Sequence, residues 1–480
     1  MSWKHARGTT RVLDTGITAP PVSIPMANPA PSMTTSNESL LLVLPVPMRR
    51  TAGRRYVESQ AVNGLLRWAD NFELVTAALV CYPEDVAANI AGVRWECIED
   101  REDLRRVAIV ELPYGYAPRV HHRVSAGVRE LLAPLIDQSR YLCFAIGGFF
   151  GDWGSTAALI SAQKRRKFAV WTDRVESQVI RSDAAKKRGV LKRLYGTAYA
   201  WWVGRFEAHV IRKAALGLFH GRDTFDAYRS LLPSSFQVEN IHLHPSDRIQ
   251  TKELLEKKAR LSQEGRAHLV HDIHLSESDR IPQRIALEKS FSRAHEEHMF
   301  KIGYAGRAAD MKAPLQWLEV IRILAAGGFP IRATWLGDGP LLGEMKAYVL
   351  KHGLGGIVEL PGFVGDRTEL VAQLRTWDVL LFTHITPESP RILLEAMVSA
   401  TPIVGYDSPF ARDLVAGFGE PFLTPVGVPA QLADVLGRLL VEPGQLRRLI
   451  LNTWEQSGDF NDVAVFRHRS QLIKSILTQK

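Results

Sequence analysis

Residues 378–405 constrain the fold of this chain more than any other stretch. The apolar run Asp378–Phe382 predicts a buried strand, and polar residues follow it. Ser389 suits the N-cap of a helix and Pro390 its first position, because proline has no N–H to leave unpaired there. Apolar residues then recur at helical spacing, and a second short strand ends at Gly405. The pattern predicts strand, loop, helix and strand, which is a unit of a doubly wound α/β fold.

Two glutamates flank the start of this predicted helix. The free amides and the positive dipole end of the helix would lie at the carboxyl edge of the sheet, where such folds bind phosphorylated ligands. Glu388 precedes the helix, and Glu395 lies about two turns beyond it. Carboxylates beside an anion site suit a ligand that also has hydroxyl groups, and a nucleotide-sugar carries hydroxyls on both its ribose and its sugar.

The segment PESPRILLEAM, followed by TPIVGY, resembles the signature of glycosyltransferase family 4. These are retaining enzymes of the GT-B fold with two glutamates in an E-x7-E arrangement, whereas Glu388 and Glu395 enclose six residues. The resemblance implies that Glu388 is catalytic and orients the donor sugar, and that Glu395 holds the ribose. It also places Ser389 and Arg391 in the donor site. Taken alone, Glu395 would be better explained as an exposed helix carboxylate, and the surrounding motif reverses that preference.

Three further motifs occur in the order of this family. GRAADMKA resembles its GR-x4-KG element, with Arg307 and Lys312 placed to neutralise the donor diphosphate and Ala313 in place of the usual glycine. The remaining donor-site residues implied by the resemblance are Gly337, Asp338 and Gly339 in a G-x-G-P turn, and Phe363 and Val364 where the backbone reads the base. The resemblance is specific for the C-terminal half and covers the N-terminal half only in architecture.

A chain of 480 residues is longer than a single hydrophobic core usually supports, so the length predicts two or three domains. Residues 1–37 lack periodicity and are expected to form a mobile tail. We expect an N-terminal, acceptor-side domain with a junction segment at 38–290 and a donor-binding domain at 291–460. Residues 461–480 should form a helix that crosses back to the first domain. The expected fold class is α/β, a GT-B fold with two Rossmann-like domains facing across a cleft.

The expected location is the cytoplasm, with peripheral association on the inner face of the plasma membrane as an option. Three cysteines with no paired spacing indicate neither a disulfide framework nor a zinc site. No apolar run is long enough to predict a spanning helix, and no signal-peptide pattern is present. We expect no metal and no cofactor.

One segment accounts for the net charge of +9. Residues 161–213 contain 14 Lys and Arg against 4 Asp and Glu. Within them, Lys186–Phe206 predicts an interfacial helix whose aromatic stripe and basic flanks would dock on an anionic membrane. Nucleic acid is the competing polyanion, but no nucleic-acid motif accompanies the aromatics, so none is expected. Burial of the aromatics in the N-terminal domain is the other alternative.

The N-terminal half offers weaker site candidates. The loop expected after the first strand carries Arg54 and Arg55, which would face the donor phosphates or form a solvated basic loop. After the strand at 168–171, Asp173, Arg174 and Glu176 are candidate catalytic residues near the sugar and the acceptor, or a charged helix start. Nothing in the sequence separates the two readings of either cluster.

A short duplication marks the junction between the halves. VENIHLHPSDRI at 238–249 recurs as VHDIHLSESDRI at 270–281. A single repeat does not predict a solenoid. Its matching histidines, His242 and His274, lack a second ligand at metal-binding spacing, so we expect them to be buried or hydrogen-bonded instead.

The sequence therefore predicts a retaining, metal-independent glycosyltransferase. Its partners would be a nucleotide-sugar donor and a glycan or lipid-linked acceptor, in the synthesis of cell-surface polysaccharide or glycolipid. A nucleotide-sugar epimerase or hydrolase on the same fold and a non-catalytic nucleotide-sugar sensor are the alternatives.

Overall fold

The chain divides into two compact units. We describe it from a computed structural model that covers residues 38–88, 90, 93–185, 189–239, 241, 243–260, 299–386, 390–418 and 422–478. The first unit consists of Met1–His242 and Val465–Lys480, and the second consists of Leu243–Ala464. The predicted tail, the second copy of the duplication, His242 and His274 lie outside the described residues.

The first unit is built on one nine-stranded sheet. Its strands are β1 Ser39–Thr51, β2 Arg54–Glu58, β3 Leu74–Cys81, β4 Trp95–Cys97, β5 Val107–Pro113, β6 Tyr141–Ala145, β7 Ala169–Thr172, β8 Leu216–His220 and β9 Ser235–Val238. Seven of them are parallel, in the order β5-β3-β1-β6-β7-β8-β9. The order reverses between β1 and β6, as expected for a doubly wound sheet.

Helices connect these strands and bury both faces of the sheet. They are α1 Ser59–Ala69, α2 Glu84–Ala88, α3 Pro118–Gln138, α4 Trp153–Gln163, α5 Glu176–Ala185, α6 Val190–Ile211, α7 Gly221–Tyr228 and a later helix, Asp462–Leu477. Alternate residues of β1 enter two separate cores, with Leu41 and Val43 in one and Leu40 and Leu42 in the other. A strand covered on both faces needs such a continuous apolar run, and LLLVL supplies it.

The first strand continues into a hairpin that the sequence did not predict. β1 pairs antiparallel with β2 around Ala52 and Gly53, whose φ angles are 50° and 77°. Two central residues with positive φ are typical of the type I′ turn, which matches the twist of a two-residue hairpin. The loop expected after the first strand, which carries Arg54 and Arg55, is therefore wrong, because most of residues 48–56 are paired backbone.

The second unit contains a six-stranded sheet whose described pairs are all parallel. Its strands are β10 Phe300–Ala305, β11 Ile331–Leu336, β12 Val358–Gly362, β13 Val379–Phe382, β14 Ile403–Tyr406 and β15 Leu423–Thr424, in the order β12-β11-β10-β13-β14-β15. This is the Rossmann order, which reverses between β10 and β13. A ligand site is expected at the carboxyl ends of those two strands.

The remaining helices, except the last one of the chain, belong to the second unit. They are α8 Thr251–Arg260, α9 Pro314–Ala326, α10 Leu342–Lys351, α11 Arg367–Thr376, α12 Arg391–Val398, α13 Pro409–Val415, α14 Pro429–Val441 and α15 Pro443–Gln456. The helix Asp462–Leu477 is α16. No helix that the structure describes has the length and apolar composition needed to cross a membrane.

Candidate functional site

Three turns meet at the carboxyl edge of the second sheet. Gly306 follows β10, Gly337 follows β11, and Gly362 ends β12. The Gly337 N–H donates to the Gly362 carbonyl at 2.7 Å, and the Ala308 N–H donates to the Asp338 carbonyl at 2.9 Å. These bonds tie the turns together, although their motifs lie far apart in sequence.

Two glycines allow this close approach. Gly337 has a φ of +147° and Gly339 a φ of +159°, conformations that side chains rarely adopt. A Cβ on Gly337 would lie 2.1 Å from the Gly306 carbonyl oxygen, and one on Gly339 would lie 2.3 Å from the Ala308 carbonyl oxygen. The G-x-G-P turn therefore needs glycine because backbone packs directly on backbone.

Arg307 and Lys312 flank the first of these turns. Arg307 is exposed and makes no ion pair with any residue that the structure describes. Lys312 ends a short 3-10 helix, Asp310–Lys312, and the Thr383 hydroxyl after β13 donates to its carbonyl at 2.8 Å. Ala313 follows with a φ of 42°, the left-handed conformation for which glycine is usual. Two cations therefore lie at the switch point of the sheet.

A buried histidine beside them was not predicted. His384 follows β13, and its Nε2 is hydrogen-bonded to the Tyr304 hydroxyl at 2.6 Å. Burial lowers the pKa of His384 well below its usual value, and the charge of Lys312 lowers it further. The ring is therefore neutral at pH 7. A histidine two positions after an apolar strand, at the predicted ligand edge, was the available signal.

The glutamate helix begins one residue later than predicted. α12 starts at Arg391, and Pro390 is its N-cap with an extended ψ of 122°. Glu388 and Ser389 lie outside the described residues.

Glu395 lies in an ion-pair chain on the second unit. Its Oε1 accepts from Arg367 Nη1 at 3.1 Å, and Arg367 Nη2 donates to Asp247 Oδ2, also at 3.1 Å. Burial opposes the charge of Arg367, but Glu395 and Asp247 outweigh that effect and the pKa of the guanidinium is raised. Sequence reasoning missed Arg367 and Asp247, because no periodicity links residues this far apart.

The remaining donor-site candidates lie after β11 and β12. Asp338 is exposed between the two glycines of its turn, and its Oδ1 lies 3.3 Å from the position of a Cβ on Gly362. Phe363 is 65% exposed and Val364 is half-buried. All three follow strands that end at the same edge as Arg307.

Arg54 and Arg55 lie on strand β2 of the first unit, each paired with a carboxylate. Arg54 forms an ion pair with Asp100, and Arg55 forms one with Glu99 at 2.7 Å. Asp100 raises the pKa of Arg54, chiefly through this hydrogen bond. Both arginines therefore connect β2 to the turn that follows β4.

The second cluster of the first unit surrounds the start of α5. Arg174 Nε donates to Glu176 Oε2 at 3.0 Å, and both side chains are largely buried. Asp173 is half-buried, and no residue that the structure describes donates a hydrogen bond to its side chain. Arg174 and Glu176 thus neutralise each other, which leaves Asp173 as the accessible carboxylate.

Helix α6 exposes the apolar residues of the predicted membrane segment. Leu191 is 83% exposed, Tyr195 75% and Trp202 41%, whereas Gly196 and Ala200 are buried. Small residues let α6 pack closely on α5, and its large side chains point away from that contact. Lys186, Lys187 and Arg188 lie outside the described residues.

The basic side chains beside this surface include Lys192, Arg193 and Arg205. All three are exposed, and the Arg205 guanidinium lies 5.2 Å from the centre of the Trp201 ring. Trp202 contacts Phe149, from the glycine-rich loop after β6, with ring centres 4.3 Å apart. Phe206 is partly buried against the core. The predicted stripe is thus exposed at its start and reaches the core at Phe206.

Comparison with known proteins finds a family match within the second unit. Residues 287–456 match the family described as glycosyl transferases group 1. All four donor-side motifs lie within this span, which is about a third of the chain.

Two curated relatives match a similar length. One is the 2-deoxystreptamine glucosyltransferase of Streptomyces kanamyceticus, 30% identical over 142 residues, which are 30% of this chain and 36% of the relative. The other is the 2-deoxystreptamine N-acetyl-D-glucosaminyltransferase of Streptomyces fradiae, 27% identical over 151 residues, which are 31% of this chain and 36% of the relative. The match thus spans about a third of each relative's own length.

Solved structures resemble nearly the whole chain. Anabaena Alr3699/HepE in complex with UDP aligns with 91% of this chain and 100% of its own at 13% identity and a TM-score of 0.58. At that identity the likeness establishes the fold alone. The predicted α/β GT-B fold class, with two Rossmann-like domains, is confirmed.

Proposed function

We propose that this protein transfers a sugar from a nucleotide-sugar donor to an acceptor. The observation that carries the proposal is the meeting of three glycine turns at the carboxyl edge of the second sheet, with Arg307 and Lys312 beside them. A diphosphate suits this place, because backbone amides and cations together compensate a charge that would be costly to desolvate. The match to group 1 glycosyl transferases over the same residues supports it.

Transfer breaks the bond between the anomeric carbon and the diphosphate oxygen, which keeps the bonding electrons, and forms a bond from that carbon to an acceptor hydroxyl oxygen. The proton of that hydroxyl passes to the leaving diphosphate. We propose that Arg307, Lys312 and the N-terminus of α12 stabilise the leaving diphosphate. Glu388 would orient the sugar hydroxyls and Glu395 would hold the ribose, with the anomeric configuration retained. The scheme needs no metal ion, because the cations and amides already offset the developing charge. It assigns no covalent nucleophile.

The relatives indicate which donors to test first. Alr3699/HepE is known in complex with UDP and also with UDP-glucose. Uridine nucleotide-sugars are therefore the first choice for this chain. We assign a glycan or lipid-linked acceptor to the first unit, in the synthesis of cell-surface polysaccharide or glycolipid. Asp173 is the acceptor-side residue to test, since Arg174 and Glu176 pair with each other.

The test is release of UDP from UDP-sugars by the full chain, with and without lipid and glycan fractions. We expect release to depend on acceptor and to fall in Arg307→Ala and Lys312→Ala. Each substitution should weaken donor binding about tenfold or more, since a charge-assisted contact contributes about 1.5–3 kcal/mol. Arg332→Ala is the matched control, because Arg332 lies near the start of β11 and pairs with Glu359.

Three outcomes would contradict the proposal. Donor turnover that is independent of any acceptor would indicate an epimerase or hydrolase of the same fold. Binding of nucleotide-sugars without turnover on any fraction would indicate a sensor. Unchanged donor affinity in both Arg307→Ala and Lys312→Ala would show that the diphosphate does not bind at this edge of the sheet.

We also propose that α6 docks on an anionic membrane surface. Large exposed apolar surfaces mark interaction sites, and α6 exposes several large apolar side chains with basic residues on the same helix. An interfacial helix combines these features, with aromatic side chains at the level of the lipid headgroups. Lys192, Arg193 and Arg205 would each contribute about 1 kcal/mol near an anionic surface.

Vesicle co-sedimentation tests the docking surface. Binding should require anionic lipid and fade in 1 M salt, where the Debye length falls to about 3 Å. A variant with Lys186, Lys187, Lys192 and Arg193 replaced by Gln should lose binding. Its control replaces two exposed lysines of α10, Lys346 and Lys351, in the same way. Equal recovery with neutral vesicles would contradict the proposal.

A further inference from the structure

The ion-pair chain on the second unit shows how Glu395 is held. Arg367 is the first residue of α11, and Asp366 caps this helix by accepting from the Thr368 N–H at 2.6 Å and the Glu369 N–H at 3.1 Å. The backbone from which the guanidinium extends is therefore fixed. Asp247 is fixed as well, because its Oδ2 also accepts from the His244 N–H at 2.8 Å.

Between these supports the Arg367 guanidinium uses both terminal nitrogens. Nη2 is anchored on Asp247, and Nη1 donates to only one oxygen of Glu395, Oε1. No residue that the structure describes donates a hydrogen bond to Glu395 Oε2. The carboxylate is thus held by one oxygen and offers the other.

A glutamate that the protein already holds in one conformation can bind a ligand at a lower entropic cost. A free glutamate side chain loses rotamer freedom when a bound ligand orders it, and that loss weakens binding. If the protein has already ordered it, a bound ligand does not have to. The planar fork of arginine suits this task, since it can bridge two carboxylates at fixed geometry.

We propose that Arg367 is a positioning residue, which orients Glu395 so that Oε2 accepts hydrogen bonds from the ribose hydroxyls of the bound nucleotide. This inference rests on the proposed donor site. It assigns to Arg367 no contact with the nucleotide, so its effect must pass through Glu395 and depend on the ribose hydroxyls.

The experiment measures the affinity of the full chain for UDP and for 2′,3′-dideoxyuridine diphosphate by calorimetry. Arg367→Gln should weaken UDP binding about tenfold, and it should change binding of the dideoxy compound by less than about twofold. In a Glu395→Gln background, Arg367→Gln should cause no further loss, because the two side chains act as one unit.

Arg375→Gln is the matched control on the same helix. Arg375 also ties α11 to the preceding segment, through the Asp247 carbonyl at 3.1 Å and Glu253 at 3.1 Å, and Arg375 does not contact Glu395. If the arginines only anchor the helix, both variants will weaken the two nucleotides alike. If Arg367 positions Glu395, only Arg367→Gln will discriminate between them.

The possible failures are distinguishable. Equal loss of UDP and dideoxy binding in Arg367→Gln, with the wild type binding UDP, would overturn the role of Arg367 and leave the donor site standing. Full UDP affinity in Arg367→Gln would do the same. A wild type that binds neither UDP, GDP nor ADP would overturn the donor site and this inference with it.

Discussion

Replacing Gly339 with alanine should destabilise the second unit through backbone alone. The added Cβ would lie 2.3 Å from the Ala308 carbonyl oxygen and 2.8 Å from the Ala308 nitrogen. Neither atom can give way freely, because the Ala308 carbonyl accepts from the Leu341 N–H at 3.0 Å and its N–H donates to Asp338. The φ of +159° adds strain for any side chain.

The magnitude follows from these two costs. A residue forced into a glycine-only conformation costs about 1–3 kcal/mol. Overpacking that shifts backbone costs about the same again. We therefore expect a loss of about 4 kcal/mol, which in a unit of this size lowers the melting temperature by about 8–16 °C. Gly343→Ala on α10 is the control, since its Cβ would meet no atom within 4 Å.

Thermal unfolding followed by circular dichroism separates the two variants. Gly343→Ala should leave the midpoint unchanged or raise it slightly, because alanine favours helix over glycine. Gly339→Ala should also lose UDP binding if the turn holds the donor. A Gly339→Ala protein that melts within about 2 °C of the wild type would refute the reasoning.

Two further predictions concern charged groups. Glu395→Gln should weaken binding of UDP itself, whereas Glu388→Gln should spare UDP and reduce turnover, and full turnover in Glu388→Gln would remove that carboxylate from the sugar site. His384 binds a proton more readily in the unfolded chain, so the free energy of unfolding should fall by about 1.4 kcal/mol per pH unit below about pH 6.5. In His384→Gln, urea unfolding between pH 7 and pH 5 should show a smaller dependence of the free energy of unfolding on pH. An unchanged dependence would show that His384 does not cause it.

The sheets were predictable because their strands are buried on both faces. Such strands are continuous apolar runs, and the strands expected at 378–382 and 168–171 are observed at Val379–Phe382 and Ala169–Thr172. The hairpin was missed because β2 begins with Arg54 and Arg55, and two charged residues in a row interrupt the apolar pattern that predicts a strand. Their partners, Asp100 and Glu99, follow about 45 residues later, and local patterns do not contain that pairing.

Some residues of the candidate site could likewise be predicted from local sequence patterns, and others could not. Glycine turns and the cations beside them are local motifs, and the structure brings Arg307, Lys312, Gly337 and Gly339 to one edge of one sheet. Arg367 could not be predicted from the sequence, because its importance comes from an ion pair with Glu395 on another helix. An arginine at the start of a helix carries no local sign of such a contact.

The membership of α16 in the first unit affects how the protein is made. Phe466 packs edge-on against Trp68 with ring centres 5.2 Å apart, and Ile473 is fully buried in the same core. A ribosome synthesises all of residues 243–464 before it reaches these side chains. The second unit can therefore fold during translation while the first still exposes the apolar surface that α16 will cover. Chaperone dependence should thus concentrate in the half of the protein that is translated first.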